Sequence, residues 1–283
     1  METCALTADS TCDLSEDMLK KYSVELIGLK VIIGDKEYTD GIDIKTKEMV
    51  ELCNNSSIIP KTAGINQLDY FDLFSKYTNK GQKVIHFSLS SDLSTSHNSA
   101  VLAAKEINKD KQLVYVIDTR QLSLGSGVLV MKAREMLDCG MKVEEVIDEV
   151  KAIIPKICAS FCVDTLEYLH KGGRCSSVEL LGANLLSIRP HIKMEDGKMS
   201  VHKKYRGSMQ KVVKKYLQTL LEENDPDFST GYIGHCECDD EFIKSICKQL
   251  KDVGFKEVVV QTVGCVITSH CGKGTIGIGF INK

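Results

Sequence analysis

The stretch KVIHFSLSSDLSTSHNSAVLAAKEI, residues 83–107, places a hydroxyl-rich segment between two regular patterns. The apolar, β-branched run KVIHF is typical of a buried strand, and SAVLAAKEI has the spacing of an amphipathic helix. Seven Ser and Thr side chains lie between His86 and Ala100. Hydroxyl groups at such a turn can cap a helix, hold an anion or supply a nucleophile. The rest of the sequence has to decide among these three interpretations.

The first half of the chain repeats this alternation of strand and helix. CALTADST, LVYVIDT and SGVLVMKAREMLDCG have the period switching of βαβ units. Such units predict a mainly parallel sheet with helices on its faces and ligands at the carboxyl ends of the strands. LKVIIGDKEYTDGID predicts an inserted hairpin that turns at Gly34-Asp35.

The pattern changes near Ile157, where ICASFC is followed by a short helix that Gly172 and Gly173 end. We therefore predict an N-terminal α/β/α domain over residues 1–157 and a C-terminal α+β domain with a mixed sheet over residues 158–283. The second domain is expected to contain a helix at SSVELLGANLLS, a hairpin at IRPHIKMEDGKMSVHKKY and a final strand, TIGIGFI. The return of this last strand to the N-terminal domain is left open.

Composition argues against several classes of function. The 283 residues carry a net charge of −3, and no basic stripe interleaved with aromatics is present, which argues against nucleic-acid binding. No apolar run is long enough to span a bilayer, and METCALTADSTCDL does not resemble a secretion signal, so we expect a cytoplasmic protein. The 12 cysteines show no repeated C-x-x-C frame, so we expect free thiols and no metal site.

Four segments then suggest a family. They are ADST at Ala8–Thr11, SSDLSTSHNSA, LEYLHKGGR at Leu166–Arg174, and HCGKGTIGIGF at His270–Phe280. Their order and spacing resemble the DegV family of fatty-acid-binding proteins over nearly the whole chain. The resemblance implies a two-domain carrier, not an enzyme, that encloses one long-chain fatty acid in a tunnel between its domains. It also implies that a separate fatty acid kinase phosphorylates the carboxylate, with no cofactor and no integral membrane association.

The resemblance assigns roles to five residues. Thr62, Ser94 and His270 match the family positions that surround the ligand carboxylate. Arg174 and Arg206 match positions linked with engaging the kinase.

Some neighbouring positions depart from the family pattern. Thr95 stands where the family has Gly, Ala63-Gly64 replace polar residues, and Lys273 replaces Pro. We expect Thr95 and the glycines Gly272 and Gly274 to shape the loops beside the carboxylate. These departures bear on loop shape, chain-length preference and the charge near His270.

The same residues can be interpreted without the family. A carboxylate held partly out of water needs donors, which hydroxyls, an imidazolium and the free N–H groups of a helix start supply. Ser94 could also simply cap the helix, and His270 could be an ordinary loop histidine. A second functional hypothesis makes Ser94 the nucleophile and His270 the base of a hydrolase for acyl or phosphate esters. That hypothesis needs an orienting group and an oxyanion hole, and the chain has no G-x-S-x-G elbow.

Overall fold

The computed structural model describes residues 4–56, 58–175 and 188–283. Helices and strands are numbered along these residues. The strands are β1 (Cys4–Asp9), β2 (Val24–Ile27), β3 (Lys30–Ile33), β4 (Lys36–Thr39), β5 (Lys61–Ala63), β6 (Lys83–Ser88), β7 (Val114–Asp118), β8 (Ile157–Cys162), β9 (Ile188–Glu195), β10 (Lys198–Arg206), β11 (Thr230–His235), β12 (Glu257–Thr262) and β13 (Ile276–Ile281). The α-helices are α1 (Glu16–Lys21), α2 (Thr46–Ser56), α3 (Gln67–Thr78), α4 (Ser96–Ile107), α5 (Leu124–Asp138), α6 (Val143–Ile153), α7 (Glu167–Gly172), α8 (Met209–Glu223), α9 (Asp240–Asp252) and α10 (Cys265–Cys271).

The predicted parallel sheet of the first half is confirmed. Its strand order is β2-β1-β6-β7, and all three pairings are parallel. The inserted hairpin is also present, because β3 and β4 pair antiparallel with Ile33 opposite Lys36 and Gly34 at a φ of +61°. Glycine adopts this conformation without steric cost, which suits the first central position of a two-residue hairpin turn. Strand β5 pairs with β3 and completes a small separate sheet.

The second half forms the predicted mixed sheet, in the order β10-β9-β8-β13-β11-β12. Only the β11–β12 pairing is parallel among these described strands. The last strand, β13, lies inside this sheet between β8 and β11 and does not return to the first sheet. The α/β fold class is therefore confirmed, while the domain boundary after residue 157 stays a prediction. The helix predicted over 176–187 lies outside the described residues.

Helix α5 lies between the two large sheets. Its side chains from Leu124 to Met131 are buried, and they share one apolar cluster with Leu6 and Phe87 of the first sheet and Ala159 of the second. Helices α3 and α4 cover the other face of the first sheet, and α8 and α9 cover the outer face of the second. This layering brings the carboxyl end of β6 close to residues of the second half.

Candidate ligand-binding site

Thr62 and His270 lie in contact although 208 residues separate them. Thr62 belongs to β5, opposite Val31, and His270 belongs to the last turn of α10. The Thr62 Oγ1 and His270 Nε2 atoms are 2.9 Å apart, which is hydrogen-bond distance. The small inserted sheet therefore brings a hydroxyl against the imidazole of the C-terminal half.

Ser94 lies in the turn between β6 and α4. Its Oγ accepts a hydrogen bond from Ser96 N at 3.2 Å and donates to Ser96 Oγ at 3.0 Å. Ser96 Oγ accepts in turn from Ile65 N at 3.1 Å, which ties the hydroxyl turn to the loop after β5. A Cβ at Gly64 would lie 3.0 Å from Ser96 Oγ, so the glycine permits this close approach. The departure from the family pattern at Gly64 thus has a local structural reason.

Thr62, Ser94 and His270 line a single cavity of about 520 Å³, part of which is open to solvent. The remaining wall is largely apolar. It includes Leu29, Leu89, Leu93, Leu122, Met199, Val266 and Ile267. We call this space the mouth cavity. These three side chains and Arg174 lie among apolar side chains, which is the arrangement that binds a polar head attached to an apolar body.

A second cavity adjoins the mouth cavity; it measures about 420 Å³ when space open to solvent is included. Leu122, Ile267 and Cys271 line both spaces. The second space lies along α5 and α10 and the inner face of the second sheet, and we call it the inner cavity. Its other walls include Leu124, Ala159, Phe161, Met194, Val263 and Gly277. The mouth and inner cavities together lead from hydroxyl groups into an apolar interior.

The imidazole of His270 is neutral at neutral pH. Burial and the nearby charge of Arg174 lower the pKa of His270 to about 4. Its Nδ1 atom lies against the backbone of Gly172 and has no hydrogen-bond partner. The expectation of an imidazolium donor is therefore wrong for this state of the protein, because burial disfavours the charged ring. His270 contributes a neutral N–H or a ring acceptor at Nε2.

The two arginines occupy different places. Arg174 is exposed, lines the mouth cavity, and donates from Nη1 to the carbonyl oxygen of Gly172 at 2.7 Å. Arg206 is the exposed last residue of β10, seven positions after Met199 of the mouth cavity. At about 3.3 Å per residue, those two positions are roughly 23 Å apart. The structure thus places Arg174 on the wall of the mouth cavity, whereas Arg206 does not line it.

The three residues predicted to shape the loops differ in their contacts. Thr95 precedes α4 and is exposed, with no side-chain cap hydrogen bond. Gly272 has a φ of +79°, and a Cβ there would lie 2.6 Å from the ring of Tyr168. Gly274 has a φ of +83° and donates its N–H to Cys236 O at 2.8 Å. Both glycines therefore shape the loop that ends α10.

Two buried carboxylates that sequence reasoning did not select hold the start of α10. Asp40 Oδ1 accepts from Cys265 N at 2.8 Å, and Asp13 Oδ1 accepts from Gly264 N at 2.9 Å. Ser10 of the ADST segment donates to Asp40 at 2.9 Å. Burial raises the pKa of Asp13 to about 8. Because α10 carries His270, these carboxylates position the imidazole from the other end of the helix.

Two features are absent from residues 4–56, 58–175 and 188–283. No group of three or more His, Cys, Asp or Glu side chains is arranged to hold a metal ion. No helix is both long and apolar enough to cross a membrane.

Comparison with known proteins defines the class to which this fold and cavity belong. Residues 3–283 match the family model of DegV, described as a family of uncharacterised proteins. A DegV domain-containing protein of Caldanaerobacter subterraneus is 31% identical over the full length of both chains. The chain belongs to the DegV family.

Solved structures give the same result. A DegV family protein of Thermus thermophilus, described for its fatty acid binding, superposes with a TM-score of 0.87 at 26% identity. That comparison covers 99% of this chain and 100% of the other. A stearic acid-binding protein of Eubacterium ventriosum superposes with a TM-score of 0.83 at 26% identity, over 100% of this chain and 99% of the other. Both of these solved proteins of the same fold are thus described as binding a fatty acid.

Proposed function

We propose that this protein binds one long-chain fatty acid and presents its carboxylate to a fatty acid kinase. Ser94, Thr62 and His270 hold the carboxylate in the mouth cavity, and the acyl tail extends into the inner cavity. The single observation that carries this proposal is the junction of the two cavities at Leu122, Ile267 and Cys271. Each buried methylene favours binding by about 0.8 kcal/mol, so the apolar walls supply most of the affinity.

The carboxylate position is supported by the donors around it. Thr62 and Ser94 supply hydroxyl groups, and α4 begins directly after this turn, so the positive end of its helix dipole lies near Ser94. The exposed guanidinium of Arg174 adds positive charge at the same rim. An anionic head is therefore favoured over a neutral one at this position.

The hydrolase alternative is less well supported by the geometry. A catalytic pair needs the nucleophile hydrogen-bonded to its base, and the base oriented by a third group. Here the Ser94 hydroxyl is bonded to Ser96, His270 is bonded to Thr62, and His270 Nδ1 has no orienting partner. We therefore propose a carrier without catalysis of its own. The proposal includes a cytoplasmic location, where the twelve free cysteines would stay reduced.

Mass spectrometry of an organic-solvent extract of the purified protein tests the carrier function. We expect one fatty acid per chain, and after its removal we expect stearate to rebind far more tightly than the neutral alcohol of equal length. An empty extract together with no rebinding of stearate would exclude the carrier function.

The kinase step has its own test. Arg174→Ala and Arg206→Ala proteins loaded with fatty acid should give less acyl phosphate with a bacterial fatty acid kinase, while their lipid content stays unchanged. Because Arg174 lines the mouth cavity and Arg206 does not, lipid lost from the Arg174 variant alone would assign Arg174 to ligand binding instead.

A further inference from the structure

In the second sheet, the hydrogen-bonded pairing between β8 and β9 ends next to the inner cavity. The antiparallel ladder between β8 and β9 pairs Cys162 with His191 and ends where Ser160 pairs with Lys193. The next opposed positions are Ala159 and Met194, and beyond them the two strands separate. The side chains at this point decide whether the inner face of the sheet connects with the outside.

A third space lies at this opening; it measures about 920 Å³ when the part open to solvent is included. Ala159 and Met194 line both this space and the inner cavity. Its other walls carry many polar and charged groups, including Arg120, Lys193, Glu195, Asp196, Asn224 and Asn282. We call it the outer pocket. Ala159 and Met194 therefore form the boundary between an apolar interior and a polar surface pocket.

We propose that Met194 closes the far end of the acyl cavity and sets the longest chain that the protein holds. This inference rests on the proposed fatty acid binding. Of the two boundary residues, Ala159 has a side chain too short to fill the opening, so the longer Met194 side chain separates the inner cavity from the outer pocket. Met194 is 6% exposed and belongs to the apolar cluster beside α10. A tail that passed this point would enter the outer pocket, where charged side chains stand beside Ile154, Pro155 and Ile157, and would gain less apolar burial than in the inner cavity.

The proposal predicts a break in the dependence of affinity on chain length. Each added methylene should tighten binding about fourfold while it is buried, and should add less once the tail reaches Met194. The Met194→Ala change removes the three heavy atoms beyond Cβ, which frees space for about three methylene groups. The break should therefore move to chains about three carbons longer. The Ala159→Leu change adds bulk on the opposite wall and should move the break to shorter chains.

The experiment measures displacement of a fluorescent fatty acid from delipidated protein by the saturated series from laurate to behenate. Met199→Ala is the matched control, because Met199 is also a buried methionine, 7% exposed, but lines the mouth cavity. We expect this control to weaken all chain lengths without moving the break. Thermal unfolding reports whether each variant is folded, and Ala159→Leu provides the result if Met194→Ala does not fold.

Two results would overturn the inference, and they differ. An identical break in the wild type, Met194→Ala and Ala159→Leu would remove the role of Met194 while leaving fatty acid binding intact. Failure of the wild type to bind any member of the series would remove the proposed function and this inference with it.

Discussion

Replacement of Ser94 by alanine tests the carboxylate site at a single oxygen atom. In the structure this hydroxyl accepts from Ser96 N and donates to Ser96 Oγ, and its donor can rotate toward a carboxylate in the mouth cavity. A hydrogen bond to a charged group contributes about 1.5–3 kcal/mol, so Ser94→Ala should weaken fatty acid binding about ten- to a hundredfold. Tail burial is unchanged, so the variant should still bind, with faster release. Fluorescent fatty acid displacement measures both quantities.

Loss of the bond to Ser96 N also lowers stability, and a matched variant separates the two effects. Ser15 caps α1 by accepting from Met18 N at 3.3 Å, and it does not line the mouth cavity. Ser15→Ala should lower the free energy of unfolding by about 1 kcal/mol and leave affinity unchanged. Equal affinities for the wild type and Ser94→Ala would refute the reasoning. An ester-hydrolysis activity of the wild type that Ser94→Ala abolishes would favour the nucleophile hypothesis instead.

Three further predictions concern two buried titratable side chains and the contacts of Arg120. The folded-state pKa of Asp13, about 8, exceeds its ordinary value of 3.8, so its ionisation destabilises the protein as pH rises from 4 to 8; Asp13→Asn should flatten this loss in thermal unfolding. The pKa of His270 is instead depressed from 6.5 to about 4, so stability that is present above pH 6.5 is lost as the pH falls toward 4. His270→Gln should remove this loss in thermal unfolding. A variant whose stability depends on pH as the wild type's does would contradict the prediction. The Arg120 guanidinium is ion-paired with Asp92 at 2.6 Å and also donates to the carbonyl oxygen of Asp196, so it links the turn after β6 to the tip of the β9–β10 hairpin. Arg120→Ala breaks this link and should speed fatty acid release in stopped-flow displacement. An unchanged release rate would refute this prediction.

Local patterns in the sequence were sufficient to predict several elements. The alternation of strand and helix gave the parallel first sheet, and Gly34-Asp35 marked a hairpin turn that is present. Both depend on residues close together in the chain, where periodicity and turn chemistry are informative. The place of β13 between β8 and β11 depends on pairing between distant segments, and the sequence left it open.

The binding site, too, could be predicted from the sequence only in part. Hydroxyl residues at the end of β6 were visible as a cluster, and family position selected Thr62 and His270. Neither source of information predicted that Asp13 and Asp40 hold the start of α10, since carboxylates in ADSTCD and YTDGID look like ordinary turn residues. The neutral state of His270 was also missed, because it results from burial by segments far away in the sequence.

A crystal structure of the delipidated protein after reloading with stearate tests the central claim most directly. The account predicts the carboxylate within hydrogen-bond distance of Ser94 Oγ, Thr62 Oγ1 and His270 Nε2, with the methyl end directed toward Met194. A carboxylate in the outer pocket beside Arg120 and Lys193, with the tail reversed, would contradict it.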